Sequence, residues 1–115
     1  MQYVRIFAEA TVDNPDAPSI YVDAIIDNSR TLMGRHTLFG LQGSFTDKDT
    51  DYYPFTLDSV GKVDFGRGYD KPANERYATL DLRDGPVKVG RLLMLESLNY
   101  GRQLYRMKEV TELPA

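Results

Sequence analysis

The feature that most constrains this chain is the alternation of apolar and polar residues in short segments that are separated by turn-forming residues. In the first segment, Gln2–Ala10, aliphatic side chains occupy every second position from Val4 onward. Successive side chains of a β-strand point to opposite faces, so this pattern predicts a strand with one apolar face. Ser19–Asp27 alternates in the same way. Pro15 and Pro18 interrupt the chain between the two segments, which predicts a hairpin with a long connection.

Further segments of β-branched and aromatic residues lie between turn signals and predict additional strands. They are Thr31–Phe45, Tyr53–Leu57, Val60–Phe65, Arg76–Leu82, Val87–Glu96 and Arg102–Glu112. Glycines interrupt Thr31–Phe45, so we expect an irregular strand with a bulge there and keep a short helix over Ser29–His36 as the alternative. Leu92–Tyr100 also contains strong helix formers, but its place between two turns favours a strand. Gly90, inside a predicted strand, is interpreted as the corner of a barrel.

About seven or eight short strands without a long helix predict an all-β fold, with at most one short helix. The architecture expected is a small antiparallel barrel or sandwich. The whole chain, residues 1–115, is expected to form a single domain. The core should contain Val4, Ile6, Val22, Ile26, Leu80, Leu82 and Leu93.

The composition excludes several kinds of catalytic and metal site. The absence of cysteine rules out disulfides, thiolate zinc sites, iron–sulfur clusters and cysteine nucleophiles. His36 is the only histidine, and no serine lies in a Gly-x-Ser-x-Gly motif. We therefore expect a non-catalytic protein without a metal or cofactor. A carboxylate pair among the 17 acidic residues would support a small hydrolytic enzyme, which is one alternative.

Two loops resemble ligand sites but lack necessary residues. Asp47–Asp51 places carboxylates at alternate positions, as calcium loops do. Tyr52 stands where such a loop needs glycine and Asp58 where it needs glutamate, so a solvated turn is expected. Gly66-Arg67-Gly68 is followed by Pro72 and by no helix pattern, which predicts a flexible loop rather than a phosphate site.

The charge is small overall and unevenly distributed. The formal net charge is −3, which argues against a protein dedicated to duplex DNA. Residues 1–58 contain 4 Lys+Arg against 9 Asp+Glu, a net of −5, whereas residues 59–115 contain 10 against 8, a net of +2. The second half could therefore bind single-stranded nucleic acid on an oligonucleotide-binding type of barrel, which is the other alternative.

Tyrosine and arginine are the residues most indicative of binding. The chain has 8 Tyr, no Trp and more Arg than Lys. Exposed Tyr with Arg is typical of protein interfaces and also of single-strand platforms. The candidate binding residues are Tyr52, Tyr53, Arg67, Tyr69, Arg76, Tyr100, Arg102 and Arg106.

The second face of the first strand gives a separate set of candidates for self-assembly, Tyr3, Arg5 and Phe7. Regular first and last strands leave exposed edges unless these pair. Pairing of these edges within the chain would give a closed monomeric barrel, and pairing between chains would give a dimer or ring; we expect the second, a homo-oligomer. The function expected is that of a protein-interaction or assembly module, of the kind found among immunity proteins, inhibitors and virion or secretion components. Its partner would be another protein or a second copy.

The cellular location is predicted from what the sequence lacks. No apolar run approaches the roughly 20 residues that a membrane-spanning helix needs. The alternating start is unlike a signal peptide. A cytoplasmic protein that binds no membrane is expected.

Overall fold

The computed structural model describes residues 1–11, 18–34, 36–43, 53–66, 76–97 and 101–114. Each strand pairs in antiparallel fashion with the next along the chain, and β1 also pairs with β8, so the sheet closes into an eight-stranded barrel. The all-β prediction is confirmed, and the architecture is a barrel rather than a sandwich. The strands are β1 (Gln2–Ala10), β2 (Ile20–Ile26), β3 (Leu38–Gln42), β4 (Tyr53–Leu57), β5 (Lys62–Asp64), β6 (Tyr77–Leu80), β7 (Leu92–Ser97) and β8 (Gly101–Glu112).

The barrel closes through a ladder between its first and last strands. The register runs from Val4 opposite Glu112 to Ala10 opposite Tyr105. A bulge after Phe7 leaves one extra residue on β8. Both strands are therefore paired along these edges within one chain, and the expectation that their edges pair between chains is wrong.

The inward-facing side chains form one continuous core. All seven residues predicted to be buried are buried, and Tyr105 and Met107 of β8 add two large side chains with 0% exposure. The Tyr105 hydroxyl accepts a hydrogen bond from the Gln42 amide at 3.3 Å and donates one to Gln103 at 3.2 Å. Burial of this hydroxyl raises the pKa of Tyr105. The buried hydroxyl therefore has one hydrogen-bond partner on β3 and one on β8.

The segment between β6 and β7 differs from the prediction. A 3₁₀ helix (Asp81–Asp84) replaces the end of the predicted strand Arg76–Leu82, and β7 begins only at Leu92, so Val87–Arg91 of the predicted strand Val87–Glu96 is not strand. Gly90 lies in a turn with φ +96°, not inside a strand. The physical reason is Arg91, whose guanidinium donates to carbonyl oxygens of Asp81, Leu82 and Pro86 and holds this connection in a compact loop.

The described part of Ser29–His36 forms a turn, bends and an isolated bridge from Leu32 to Ile26 rather than the alternative helix. The Asp27 carboxylate accepts the backbone N–H groups of Ser29 and Thr31, which stabilises a turn in place of a helical one. Within the ranges described, no helix has the length and apolar character needed to cross a membrane.

Three arginines join the connections at one end of the barrel, where β2–β3, β4–β5 and β6–β7 are linked. Arg30 donates to the Val87 carbonyl at 2.7 Å, and Arg83 donates to the carbonyls of Asp58 and His36. With Arg91, these side chains tie the three connections together. This end of the barrel is thus held by side-chain-to-backbone hydrogen bonds.

Candidate functional site

The outer surface of β1 carries the three residues predicted for assembly. Val4, Ile6 and Ala8 point into the core, so the alternation of the strand turns the residues between them outward. Tyr3, Arg5 and Phe7 therefore lie on one outer face. On β2 they are opposite Ile25, Asp23 and Tyr21, respectively.

The same face continues across β3 and β4. Tyr21 lies opposite Leu41, which in turn lies opposite Pro54. Asp23 lies opposite Phe39 in the next row. Directly opposed side chains in a sheet are close enough to contact, so these rows form a continuous surface. We call it the β1–β4 face, defined by Tyr3, Arg5, Phe7, Tyr21, Asp23, Ile25, Phe39, Leu41 and Pro54.

Large apolar side chains of this face remain open to solvent. Phe39 is 69% exposed and Tyr3 is 44% exposed. Phe7 and Tyr21 stack with their ring centroids 4.9 Å apart, which fixes both rings against the sheet. A contiguous exposed apolar surface on a rigid scaffold is typical of a protein-binding site.

One ion pair lies in the middle of the face. The Arg5 guanidinium donates from Nε and Nη2 to the two carboxylate oxygens of Asp23, at 2.8 Å and 3.0 Å. The hydrogen bond to Asp23 raises the pKa of Arg5. Each side chain is nearly half exposed. The two charges cancel, and the centre of the face carries no net charge.

Polar residues border the face on the β8 side. Glu109 lies opposite Phe7, Thr111 opposite Arg5, and Arg106 opposite Glu9. Apolar side chains bordered by polar residues are common in protein interfaces, and here two mainly apolar rows lie on either side of the Arg5–Asp23 pair. The β1–β4 face is accordingly the candidate functional site.

Of the predicted binding arginines, Arg76, Arg102 and Arg106 are described; they lie outside the β1–β4 face, and each is engaged within the chain. Arg76 on the approach to β6 forms a two-point pair with Asp64, at 2.8 Å and 3.0 Å. Arg102 contacts Glu96 at 3.5 Å, and Arg106 donates to the Gly90 carbonyl at 3.1 Å. The structure does not gather these cations into one site.

Of the predicted binding tyrosines, the structure describes Tyr53. Tyr53 begins β4 opposite Gln42, at an end of the barrel away from the centre of the β1–β4 face. Tyr77, which was not predicted as a site residue, lies under both Lys62 and Arg76, whose charged groups are 4.0 Å and 4.9 Å from its ring centroid. Outside the described residues lie Tyr52, Arg67, Tyr69, Tyr100 and the segment Asp47–Asp51.

A pocket of about 270 Å³ lies on the opposite wall, between the β4–β5 turn and β7. Asp81, Asp84 and Glu96 are among its lining residues. Asp81 accepts the Met94 N–H at 2.7 Å, and Glu96 pairs with Arg102. Two of the three carboxylates therefore have partners within the chain. Among the residues described, no group of three or more His, Cys, Asp or Glu side chains is placed to hold a metal ion.

Sequence reasoning identified the β1 part of the face and missed the rest. Tyr21 and Ile25 lie at outward positions of β2, which a pairing of β1 with β2 would have placed beside Phe7 and Tyr3. Phe39 lies in a glycine-interrupted segment whose strand register could not be read. The sequence signal available for Phe39 is only its neighbour Gly40, because the core-facing side of β3 has no space for a side chain at that position.

The fold and this surface together define a small closed β-barrel with an aromatic outer face. Comparison of the chain with protein-family models, with curated proteins and with solved structures finds no match.

Proposed function

We propose that the protein is a non-catalytic assembly module that binds a second copy of itself through the β1–β4 face. The observation that carries the proposal is the exposure of Phe39 and Tyr3 on the outer side of a sheet whose inner side is packed into the core. Large apolar groups in this position gain free energy when another surface removes them from water. Binding of this kind requires no catalytic residue on the face.

The charges of the face favour a protein partner over a nucleic acid. Its described cation, Arg5, is already neutralised by Asp23. Binding to single strands needs cations free to contact phosphates and rings free to stack on bases. Arg76 is paired with Asp64, and the Tyr77 ring beside it is covered by Lys62. The eight-stranded sequential barrel also differs from the five-stranded oligonucleotide-binding fold.

A second copy suits the face because its charges are self-complementary. An isologous interface brings the same patch of two chains together, so each charge must meet its opposite across the two-fold axis. A patch with one cation beside one anion satisfies this condition, whereas a patch of a single sign would repel its copy. The closed barrel favours contact through faces, because β1 and β8 already pair within the chain.

The size of the face predicts a weak dimer. Four strands about 4.8 Å apart, with about five residues each at 3.3 Å per residue, give a plan area of roughly 300 Å². A standard stable interface removes about 800 Å² from water on each partner. We therefore expect dimerisation to depend on concentration in the micromolar range rather than to be permanent.

Sedimentation equilibrium over two orders of magnitude in concentration tests the proposal. The mass should rise from that of one chain, 13.1 kDa, towards twice this value. Phe39→Asp should keep the mass at one chain, because a carboxylate would be buried without a partner. Val60→Asp is the matched control, since Val60 is 84% exposed and lies in the β4–β5 turn. A wild-type mass of one chain at every concentration would overturn the proposal.

A further inference from the structure

We infer that the two-fold axis of this assembly passes beside the Arg5–Asp23 pair, so that Arg5 of each copy contacts Asp23 of the other. This inference rests on the proposed self-assembly. It goes further by naming the residues that determine partner and orientation. The pair lies in the central row of the β1–β4 face, between the row of Phe7 and Tyr21 and the row of Tyr3 and Ile25.

The pair has unused hydrogen-bonding capacity for a second contact. Arg5 donates one N–H from Nε and one from Nη2 to Asp23. An arginine carries five N–H donors, so those on Nη1 and the second on Nη2 can reach another carboxylate. Each Asp23 oxygen accepts one of these bonds and has further lone-pair capacity. Both side chains are nearly half exposed and thus accessible from outside.

The cost of burying the Arg5–Asp23 pair explains why a second copy of the chain is preferred to a purely apolar partner. An apolar surface would take Arg5 and Asp23 out of water without offering new hydrogen bonds, which is costly. A second copy presents its own Arg5–Asp23 pair in the opposite orientation, so that each Arg5 lies beside the Asp23 of the other copy. The two pairs then form a ring of four charges with alternating sign. The apolar rows on each side would exclude water from this ring and strengthen its attraction.

A charge exchange tests the inference. Arg5→Asp gives each copy two carboxylates at this point, and Asp23→Arg gives each copy two guanidinium groups. Each variant alone should dimerise more weakly than wild type, by roughly thirtyfold or more, because like charges meet across the axis. An equimolar mixture of the two should form a heterodimer, detected by native mass spectrometry from its intermediate mass. The double variant R5D/D23R should dimerise again, because it restores both the internal pair and the pairing between copies.

The Arg76–Asp64 pair supplies the matched control, since it has the same two-point geometry away from the face. Arg76→Asp and Asp64→Arg, alone or mixed, should leave dimerisation at the wild-type level. Circular dichroism verifies that every variant keeps its β-sheet signal. If wild type dimerises but the mixture of Arg5→Asp and Asp23→Arg forms no heterodimer, the inferred axis is wrong and self-assembly through the face still stands. A wild-type monomer would overturn both.

Discussion

Gly40, at the scale of a single residue, lies where the inner side of β3 has no space for a side chain. A Cβ atom at this position would lie 2.4 Å from a ring carbon of Phe55 and 2.7 Å from the carbonyl oxygen of Tyr21. The ring could move, but the carbonyl belongs to the β2 backbone. Gly40 must therefore face the core, and its neighbour Phe39 then faces outward.

Gly40→Ala should lower the free energy of unfolding by about 3 kcal/mol, the upper part of the range for overpacked cores. Urea denaturation measures this as a lower midpoint. Adding Phe55→Leu should not restore wild-type stability, since the contact with the Tyr21 carbonyl remains. An unchanged midpoint for Gly40→Ala would contradict the close contact of Gly40 with the Tyr21 carbonyl.

Asp64 is expected to make stability depend on pH. The hydrogen bond from Arg76 is the main cause that holds its pKa below the ordinary value of 3.8. A carboxyl whose pKa is lower in the folded state stabilises the fold above its unfolded pKa, and this contribution is lost as pH falls through the folded pKa. Wild type should therefore melt at a higher temperature than Asp64→Asn at neutral pH, and the difference should shrink below about pH 4. A constant difference across this range would contradict the prediction.

At the scale of secondary-structure elements, the β6–β7 connection depends on one guanidinium group. Arg91 donates to the carbonyl oxygens of Leu82, Pro86 and Asp81 at 2.9, 3.0 and 2.7 Å. These carbonyls lie in and after the 3₁₀ helix, where the backbone has few sheet partners. A planar group with several fixed donors can satisfy all three, and a single ammonium group cannot do so with the same geometry.

Arg91→Lys should therefore destabilise the protein by about 2 kcal/mol, although the charge is retained. Arg106→Lys is the control, because Arg106 makes a single exposed bond to the Gly90 carbonyl, and its loss should cost within about 0.5 kcal/mol. Thermal unfolding of the two variants side by side provides the measurement. Equal melting temperatures would mean that the connection does not depend on the three bonds.

At the scale of the whole molecule, the sequence predicted strands where alternation was local and regular. Gln2–Ala10 matches β1 in both bounds, and the predicted hairpin strand Arg102–Glu112 differs from β8 by one residue. Alternating valines made Val87–Arg91 resemble a strand, but the bonds of Arg91 to residues earlier in the chain determine its conformation. Those bonds depend on tertiary structure and have no local signal.

The sequence predicted part of the candidate site, as it predicted part of the fold. Tyr3, Arg5 and Phe7 could be placed on one face from period two alone. Their neighbours on β2 and β3 depend on register, which side-chain alternation does not specify for a closed sheet until the pairing of strands is known. Closure itself joins residues about as far apart as the chain allows, such as Val4 and Glu112, so no window of sequence contains it.

The closing ladder has a consequence for the order of events during synthesis and refolding. Because β8 supplies one half of that ladder, β1 and β7 each keep an unpaired edge until β8 has been made. Contacts of such long sequence separation form slowly, since the entropy of closing a large loop is lost before the ladder stabilises it. During this interval the chain exposes two strand edges, which are templates for aggregation. A chaperone that shields β1 until β8 emerges would therefore act at the most vulnerable stage of folding.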